Sequence, residues 1–155
     1  MTTVCLKLFE ITRADAAIFG EKDFQQVRVI ERMVSDLSLP LEIVRSAIVR
    51  ETDGLALSSR NLYLSEAERR WAASIPRALR QAALKESVAD VKKAVRETLD
   101  SSLSVEYIEV ASEENLASCA DTEKVREIAK PRVFLAVRAG ATRLIDNLSL
   151  EDTST

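Results

Sequence analysis

The stretch AAIFGEKDFQQVRVIERMVSDLSLPLEIV, residues 16–44, decides the fold of the N-terminal part of the chain. The apolar run AAIF ends at Gly20 and passes directly into the polar run EKDFQQ, a pattern typical of a strand, a turn and the start of a helix. Apolar residues then recur at spacings of three and four, which predicts an amphipathic helix over residues 22–37. Its apolar positions are Val27, Ile30, Val34 and Leu37.

The residues on either side complete a strand–helix–strand unit. Pro40 is expected to end the helix, and LEIVRSAIV, residues 41–49, is rich in β-branched residues and predicts a second strand. That order implies parallel strands joined by a right-handed crossover. The segment VCLKLFEI, residues 4–11, predicts a further helix. Because these elements do not close a core, we expect residues 1–48 to be the C-terminal part of a larger, Rossmann-like domain.

A second region begins with helix signals. Ser65 and Glu68 form a capping-box pair that opens a helix through about Lys85, and Pro76 is expected to kink or divide it. A second helix, with one clean apolar stripe, is predicted over residues 88–99.

Three strand-like runs follow these helices: VEYIEV, RVFLAV and TRLIDN. Residues 113–128 are expected to form a helical or irregular insert, and the final EDTST a frayed tail. Two helices followed by three strands predict a small α+β domain with an antiparallel sheet over residues 65–155. The fold class is therefore α/β, with the end of a parallel-sheet domain followed by an α+β domain.

The composition excludes several classes of protein. With 155 residues, 46% of them hydrophobic and 30% charged, the chain can bury a core. Its net charge of −3 and its dispersed basic residues argue against a nucleic-acid partner. No apolar stretch approaches the roughly 20 residues that span a bilayer, and the N-terminus lacks the features of a signal peptide. We therefore expect a soluble, cytoplasmic protein with no membrane partner.

The chain contains two cysteines and no histidine. Cys5 and Cys119 are too far apart for a CxxC metal site and too few for a disulfide framework, so two reduced, partly buried thiols are expected. Without histidine, this chain by itself cannot form a Ser-His-Asp triad, a histidine metal site or a histidine general base. No metal-ligating residues are predicted.

Two polar clusters are candidates for ligand binding. Lys22 and Gln26 are four residues apart, so on a helix they would share one flank and reach an anion over its N-terminus. The alternative is an ordinary solvated helix start with Asp23 as a favourable first-turn acid. The second cluster is LSSRN, residues 57–61, whose hydroxyls and guanidinium suit a phosphate on a flexible loop. Its alternative is a polar surface turn.

Together and in this order, the motifs resemble the pantoate–β-alanine ligase (pantothenate synthetase) family. The resemblance rests on GEKDFQQ, VRETDGLALSSRN, YLS and TRLIDN, and it runs from about residue 4 to residue 148. It implies a two-step reaction in which the pantoate carboxylate attacks the α-phosphate of ATP and the amine of β-alanine then displaces AMP. It also implies Mg²⁺, a cytoplasmic setting and a homodimer.

The resemblance also implies roles for single residues. The ATP-binding positions would be Gly20, Glu21, Lys22, Asp23, Val49, Leu57, Ser58, Ser59 and Arg60, with Gln26 binding pantoate. Lys22, Ser58, Ser59 and Arg60 would be catalytic, and the positive charges of Lys22 and Arg60 would stabilise negative charge that grows on the phosphates. Residues 49–64 would then form a hinge and phosphate-binding loop, and residues 1–48 part of the nucleotide-binding domain.

The sequence also departs from the family pattern. Arg45, Ser46 and Ala47 replace the usual Gly-Val-Pro, Leu57 replaces a usual methionine, and Leu62 replaces a glycine often found after SSRN. The family's first half, with its His-x-Gly-His-type motif, has no counterpart here, so the chain resembles the C-terminal half and is expected to be inactive alone. The alternatives are a non-catalytic remnant that binds nucleotide or assembles with a partner, and an unrelated α+β interaction domain.

Overall fold

A computed structural model describes residues 1–151 of the chain. Most of the EDTST tail, for which we expected fraying, lies outside the described residues. The chain divides into two compact units, Met1–Ile48 and Val49–Thr155. No helix within residues 1–151 has both the length and the apolar character needed to cross a membrane.

The first unit is an α/β arrangement with two parallel strands. Its elements are α1 (Thr2–Thr12), β1 (Ala16–Gly20), a 3₁₀ turn (Glu21–Asp23), α2 (Phe24–Asp36) and β2 (Glu42–Ser46). The strands pair in parallel register, from Ala16 opposite Glu42 to Gly20 opposite Ser46. The predicted helix, strand, helix and strand are therefore confirmed, with differences at the two ends of α2.

The end of α2 lies one residue before the predicted end, and its cause is not the expected proline. The helix stops at Asp36, before Pro40, because Ser38 adopts a left-handed conformation with φ of 48°. The Ser38 N–H donates to the Ser35 carbonyl at 3.1 Å, and the Leu39 N–H donates to the Val34 carbonyl at 3.0 Å. This pair of bonds is a Schellman motif, which closes a helix without proline.

The first unit leaves much of its apolar surface exposed. Only Phe24, Val27 and Ile30, all from α2, are buried hydrophobic residues of this unit. Leu37, predicted to lie on the buried stripe, is 52% exposed, and α1 has no buried residue. The exposed large apolar side chains on α1 and the two strands include Val4, Leu8, Ile11, Ile18 and Val44. Parallel sheets are normally covered on both faces, which is not the case for these two strands.

The second unit packs helices against a three-stranded antiparallel sheet. Its elements are a 3₁₀ helix (Ser59–Tyr63), α3 (Glu66–Ala72), α4 (Ser74–Ala82), α5 (Val88–Thr98), β3 (Ser104–Ser112), a 3₁₀ turn (Val125–Glu127), β4 (Pro131–Ala139) and β5 (Thr142–Ser149). The strand order is β3-β4-β5, and both pairings are antiparallel. The predicted α+β architecture, its three strands and the irregular insert are confirmed.

Local signals set the helices of this unit. Ser65 and Glu68 form the predicted capping box, with the Ser65 N–H 2.8 Å from Oε2 of Glu68. The long helix is divided at Ala73, so that Pro76 falls in the first turn of α4, where its missing N–H is tolerated. The helix ends at Ala82, earlier than predicted. The α5 stripe is buried as predicted and packs into one core with α4 and the sheet: Val88, Val91, Val95, Leu99, Ile75, Leu79, Val133, Leu135 and Val137.

The cysteines are as predicted. Both are free, Cys5 half-buried and Cys119 buried. Burial raises the pKa of the Cys119 thiol, and the nearby Glu123 carboxylate adds to the rise. A thiol with a raised pKa is a poor nucleophile, so Cys119 acts as a small core side chain.

Candidate active site

The first polar cluster lies directly after the carboxyl end of β1. Gly20 closes the strand, Glu21 and Lys22 are half-buried in the 3₁₀ turn, and Gln26 is half-buried in the first turn of α2. A β-carbon built on Gly20 would meet no atom within 4 Å, so there is open space at this strand end. The carboxyl edge of parallel strands beside a helix start is where α/β proteins commonly bind anionic ligands.

The structure corrects the predicted relation between Lys22 and Gln26. Lys22 lies in the 3₁₀ turn and Gln26 in α2, so the two residues do not share one regular α-helix. A 3₁₀ turn has about three residues per turn, so the expected stacking of positions four apart does not apply across the junction. Asp23 occupies the N-cap position of α2, and its side chain makes no capping hydrogen bond.

The second cluster follows a short hairpin in the other unit. The Leu57 N–H donates to the Val49 carbonyl at 2.8 Å, and Arg50 and Ala56 form an antiparallel bridge. Gly54 turns the hairpin with φ of 87°, a conformation that favours glycine. The adenine-contacting position expected at Val49 and the expected phosphate-binding segment thus lie on adjacent hairpin strands.

The residues of the second cluster are mostly open to solvent. Val49 and Leu57 are 62% and 56% exposed, Ser59 and Arg60 are exposed, and Ser58 is half-buried. The Ser58 hydroxyl accepts a hydrogen bond from the Arg60 N–H at 3.3 Å and begins the 3₁₀ helix. Among the described residues Arg60 has no ion-pair partner. Its guanidinium is therefore available to an anionic ligand.

A nearly buried carboxylate anchors the hairpin to the sheet. Asp146 on β5 receives two hydrogen bonds from the Arg50 guanidinium, at 2.8 and 3.1 Å, and its side chain is only 1% exposed. Arg50 also donates to the Gly54 carbonyl at 3.0 Å, so it joins the hairpin turn to the sheet. The backbone N–H of Asn147 donates to Asp146 at 2.8 Å, which holds the carboxylate in place.

A second anchor joins the hairpin to α3. Arg69 donates to Glu51 at 2.9 and 3.2 Å and to Asp53 at 2.8 Å. The Asn61 amide donates to Glu51 at 2.5 Å and to the Ala56 carbonyl at 3.1 Å. Hydrogen bonds from Arg69, and then from Asn61, lower the pKa of Glu51, although partial desolvation opposes them. The segment predicted as a flexible loop is thus bonded at several points within its unit.

The structure therefore groups the predicted residues into two sets. Gly20, Glu21, Lys22, Asp23 and Gln26 surround one strand end in the first unit, and Val49, Leu57, Ser58, Ser59 and Arg60 belong to one hairpin and helix start in the second. Each set is local and accessible. That the two sets act on one ligand stays a prediction.

Sequence reasoning missed the side chains that hold these sets. Arg50 and Asp146 are 96 residues apart, and no spacing rule relates them. Arg69 was not considered as a candidate, although its position one turn after the Ser65 cap places it near the preceding loop. That position and the acidic pair Glu51 and Asp53 before the helix were the available signals.

Comparison with known proteins places the chain in a class of ligases. The family model described as pantoate-beta-alanine ligase matches residues 1–149. A pantothenate synthetase from Desulfitobacterium hafniense (strain DSM 10664 / DCB-2) is 43% identical over 158 residues, covering 97% of this chain and 54% of the relative. A pantoate–beta-alanine ligase from Arabidopsis thaliana is 44% identical over 160 residues, covering 97% of this chain and 49% of the relative.

Solved structures agree with the sequence comparison. Pantothenate synthetase from Thermus thermophilus superposes with a TM-score of 0.88 at 39% identity, covering 97% of this chain and 55% of that one. The ligase from Francisella tularensis, solved in complex with beta-gamma ATP and beta-alanine, superposes with a TM-score of 0.71 at 30% identity. This match covers 99% of this chain and 51% of that one. The chain belongs to the pantoate–β-alanine ligase family. It spans about half the length of the relatives it matches.

Proposed function

We propose that this chain carries the C-terminal half of an enzyme that condenses pantoate with β-alanine at the expense of ATP. The observation that supports this most directly is the family match over residues 1–149, which includes both accessible polar sets. The ATP and β-alanine bound by the Francisella relative fit the same reaction. In the proposed whole enzyme, residues 1–48 complete a nucleotide-binding domain, residues 49–64 form a hinge and phosphate loop, and residues 65–155 form the C-terminal domain.

The reaction proceeds in two displacements. A carboxylate oxygen of pantoate attacks the α-phosphorus of ATP, the bond to the bridging oxygen breaks, and pyrophosphate leaves with its electron pair. The β-alanine amine then attacks the acyl carbon of pantoyl adenylate, loses a proton, and AMP leaves. The substrates themselves supply both nucleophiles, so no side chain has to form a covalent bond.

The chain's polar sets have separate roles in this scheme. Lys22 and Arg60 stabilise negative charge that develops on the phosphates, and the Ser58 and Ser59 hydroxyls donate to phosphate oxygens. Gln26 binds pantoate. The backbone at Val49 contacts the adenine, with Leu57 beside the phosphate segment. Glu21 and Asp23 flank Lys22, and open space at Gly20 allows a close approach of the nucleotide.

Mg²⁺ enters this scheme with the substrate. Residues 1–151 contain no cluster of three or more His, Cys, Asp or Glu side chains suited to an ion. Mg²⁺ usually keeps several waters and binds through substrate phosphates and one or two carboxylates, so the ion would arrive as Mg–ATP.

The remaining parts of the proposal concern the whole enzyme. The relatives' additional length would supply the histidine motif and the rest of the acid-binding pockets, and the exposed apolar faces of the first unit fit a domain completed by further chain. The complete enzyme would be a cytoplasmic homodimer. The 155-residue chain alone would not turn over.

The test uses formation of AMP that requires both pantoate and β-alanine. The purified chain is expected to give no turnover, whereas a chimera in which residues 1–149 replace the matching segment of the Desulfitobacterium relative is expected to be active. In that chimera Lys22→Ala and Arg60→Ala should each lower kcat by about 10²–10³-fold, the usual effect of removing one transition-state contact. Arg70→Ala, at an exposed position on α3, is the matched control.

Three results would contradict the proposal. Ordinary turnover by the isolated chain would show that it needs no further half. A folded chimera without activity would favour a non-catalytic remnant. An equal loss of kcat in the Arg60→Ala and Arg70→Ala chimeras would show that the positive charge, and not the position of Arg60, determines the rate.

A further inference from the structure

The Arg45 side chain, near the end of β2, links three parts of the first unit. Its Nε and Nη2 atoms donate to the two carboxylate oxygens of Glu31 on α2, at 2.6 and 2.7 Å. Its Nη1 lies 3.8 Å from a carboxylate oxygen of Glu21 in the 3₁₀ turn. Its Cζ lies 5.2 Å from the centre of the Phe24 ring, at the start of α2.

These contacts need the shape of a guanidinium. A planar fork matches both carboxylate oxygens and can also lie over an aromatic ring, whereas an ammonium is a point charge. The side chains of Arg45, Glu31 and Glu21 are 31%, 22% and 24% exposed, so water screens them only in part. The hydrogen bonds from Arg45 hold the pKa of Glu31 below its usual range against the effect of burial, and Arg28 adds to them.

The turn that carries Lys22 has no side-chain cap at either end. Neither Gly20, at its start, nor Asp23, at the junction with α2, provides a side-chain cap. Arg45 contacts the residue before Lys22, which is Glu21, and also Phe24, which is 1% exposed and begins the helix. The contacts of Arg45 therefore bracket Lys22 on both sides.

We propose that Arg45 is a positioning residue that holds the Glu21–Asp23 turn against β2 and so determines where Lys22 lies at the end of β1. Arg45 is not among the residues that the family resemblance predicts to bind a ligand, so its proposed role is to hold the turn and not to bind the ligand. The expected effect of Arg45 on ligand binding rests on the proposed function. Its expected effect on the Glu21–Asp23 turn is independent of that function.

The test compares backbone hydrogen exchange in the 155-residue chain and its Arg45→Met variant. Peptides covering residues 20–27 should exchange at least about tenfold faster in the variant, and peptides from α3 to β5 should not change. Glu31→Gln should act in the same direction, because it removes the charge that holds Arg45 in place, although it also breaks the Glu31–Arg28 ion pair. The double variant should lose less than the sum of the two single changes, because both remove the Arg45–Glu31 contact. Arg45→Lys should resemble Arg45→Met. Arg32→Met is the control, since Arg32 pairs with Asp36 at 2.8 Å on the exposed side of α2, the helix that carries Glu31.

Unchanged exchange in residues 20–27 would overturn the proposal. Faster exchange spread equally over residues 28–36 would also overturn it, because Arg45 would then stabilise α2 in general. If Arg45→Met unfolds the first unit, Glu31→Gln, which keeps the Arg45 side chain, decides between these outcomes by the same comparison.

A second arm repeats the exchange with Mg–ATP in the chimera that carries the other half of the Desulfitobacterium relative. ATP should protect residues 20–27 of the chimera, and its Arg45→Met variant should need about tenfold more ATP for half of that protection, while Arg32→Met should not. Equal ATP dependence of the Arg45→Met variant and the unsubstituted chimera would refute the link between the turn and the ligand. No ATP effect on the unsubstituted chimera would count against the proposed function, and the exchange without ATP would still decide the role of Arg45.

Discussion

Replacing Asp146 by asparagine should destabilise the second unit and loosen the hairpin that leads to the phosphate segment. The Asp146 side chain is 1% exposed and accepts two hydrogen bonds from Arg50, at 2.8 and 3.1 Å. Asparagine keeps the size of the side chain and can still accept from the Asn147 N–H, but it removes the negative charge. The Arg50 guanidinium would then remain half-buried without a compensating charge.

The magnitude follows from the burial of the pair. Removing one partner of a buried ion pair costs about 3–5 kcal/mol. Since the Arg50 side chain is 27% exposed and water can partly solvate it, we expect a loss of about 2–3 kcal/mol in the free energy of unfolding. With a urea dependence of about 1–3 kcal/mol per molar, the unfolding midpoint should fall by about 1 M.

The assay is urea unfolding followed by tryptophan fluorescence. The chain has one tryptophan, Trp71, which is half-buried against the core of the second unit and therefore reports on that unit. Asp121→Asn is the matched control. Its ion pair with Lys92 has the same 2.8 Å distance, but Asp121 is 64% exposed, so its loss should cost less than about 1 kcal/mol.

Exchange of the Leu57 amide tests the local effect. This N–H closes the hairpin on the Val49 carbonyl at 2.8 Å, so it should exchange faster in Asp146→Asn and stay unchanged in Asp121→Asn. If the two variants shift the midpoint equally, the buried pair contributes no more than a surface pair. An unchanged Leu57 amide would show that Arg50 does not fix the hairpin.

Three further predictions concern other parts of the chain. Ser65→Ala should lower the free energy of unfolding by about 1 kcal/mol, measured in urea, because it removes the cap of α3, and a shift below the error of the method would contradict this. Because the pKa of Glu51 is lowered in the folded chain, its pairing with Arg69 stabilises fully above the ordinary carboxylate pKa, and that stabilisation is lost as the pH falls through the lowered value. Glu51→Gln should flatten this dependence in melts between about pH 6 and pH 3, and identical profiles would refute the assignment. Hydrogen exchange should be faster in residues 4–48 than in residues 65–148, because the first unit buries few apolar side chains, and uniform protection would argue for a closed core.

The sequence by itself determined the order and type of the elements. Apolar spacings of three and four predicted α2 and α5, apolar and β-branched runs predicted the strands, and Ser65 with Glu68 predicted the start of α3. These features depend on groups within one or two turns of each other, so a pattern in the chain is sufficient to predict them. The motifs for the site residues are local in the same sense. They predicted which residues matter and left open how each is held.

Only the tertiary structure decided how the site residues are held. The Arg50–Asp146 pair joins positions 96 residues apart, and Arg45 on β2 donates to Glu31 on α2. Lys22 lies in a 3₁₀ turn because the chain must pass directly from the end of β1 into α2. No periodicity encodes such contacts, since a charged side chain selects its partner only after packing has brought distant elements together and removed part of their water.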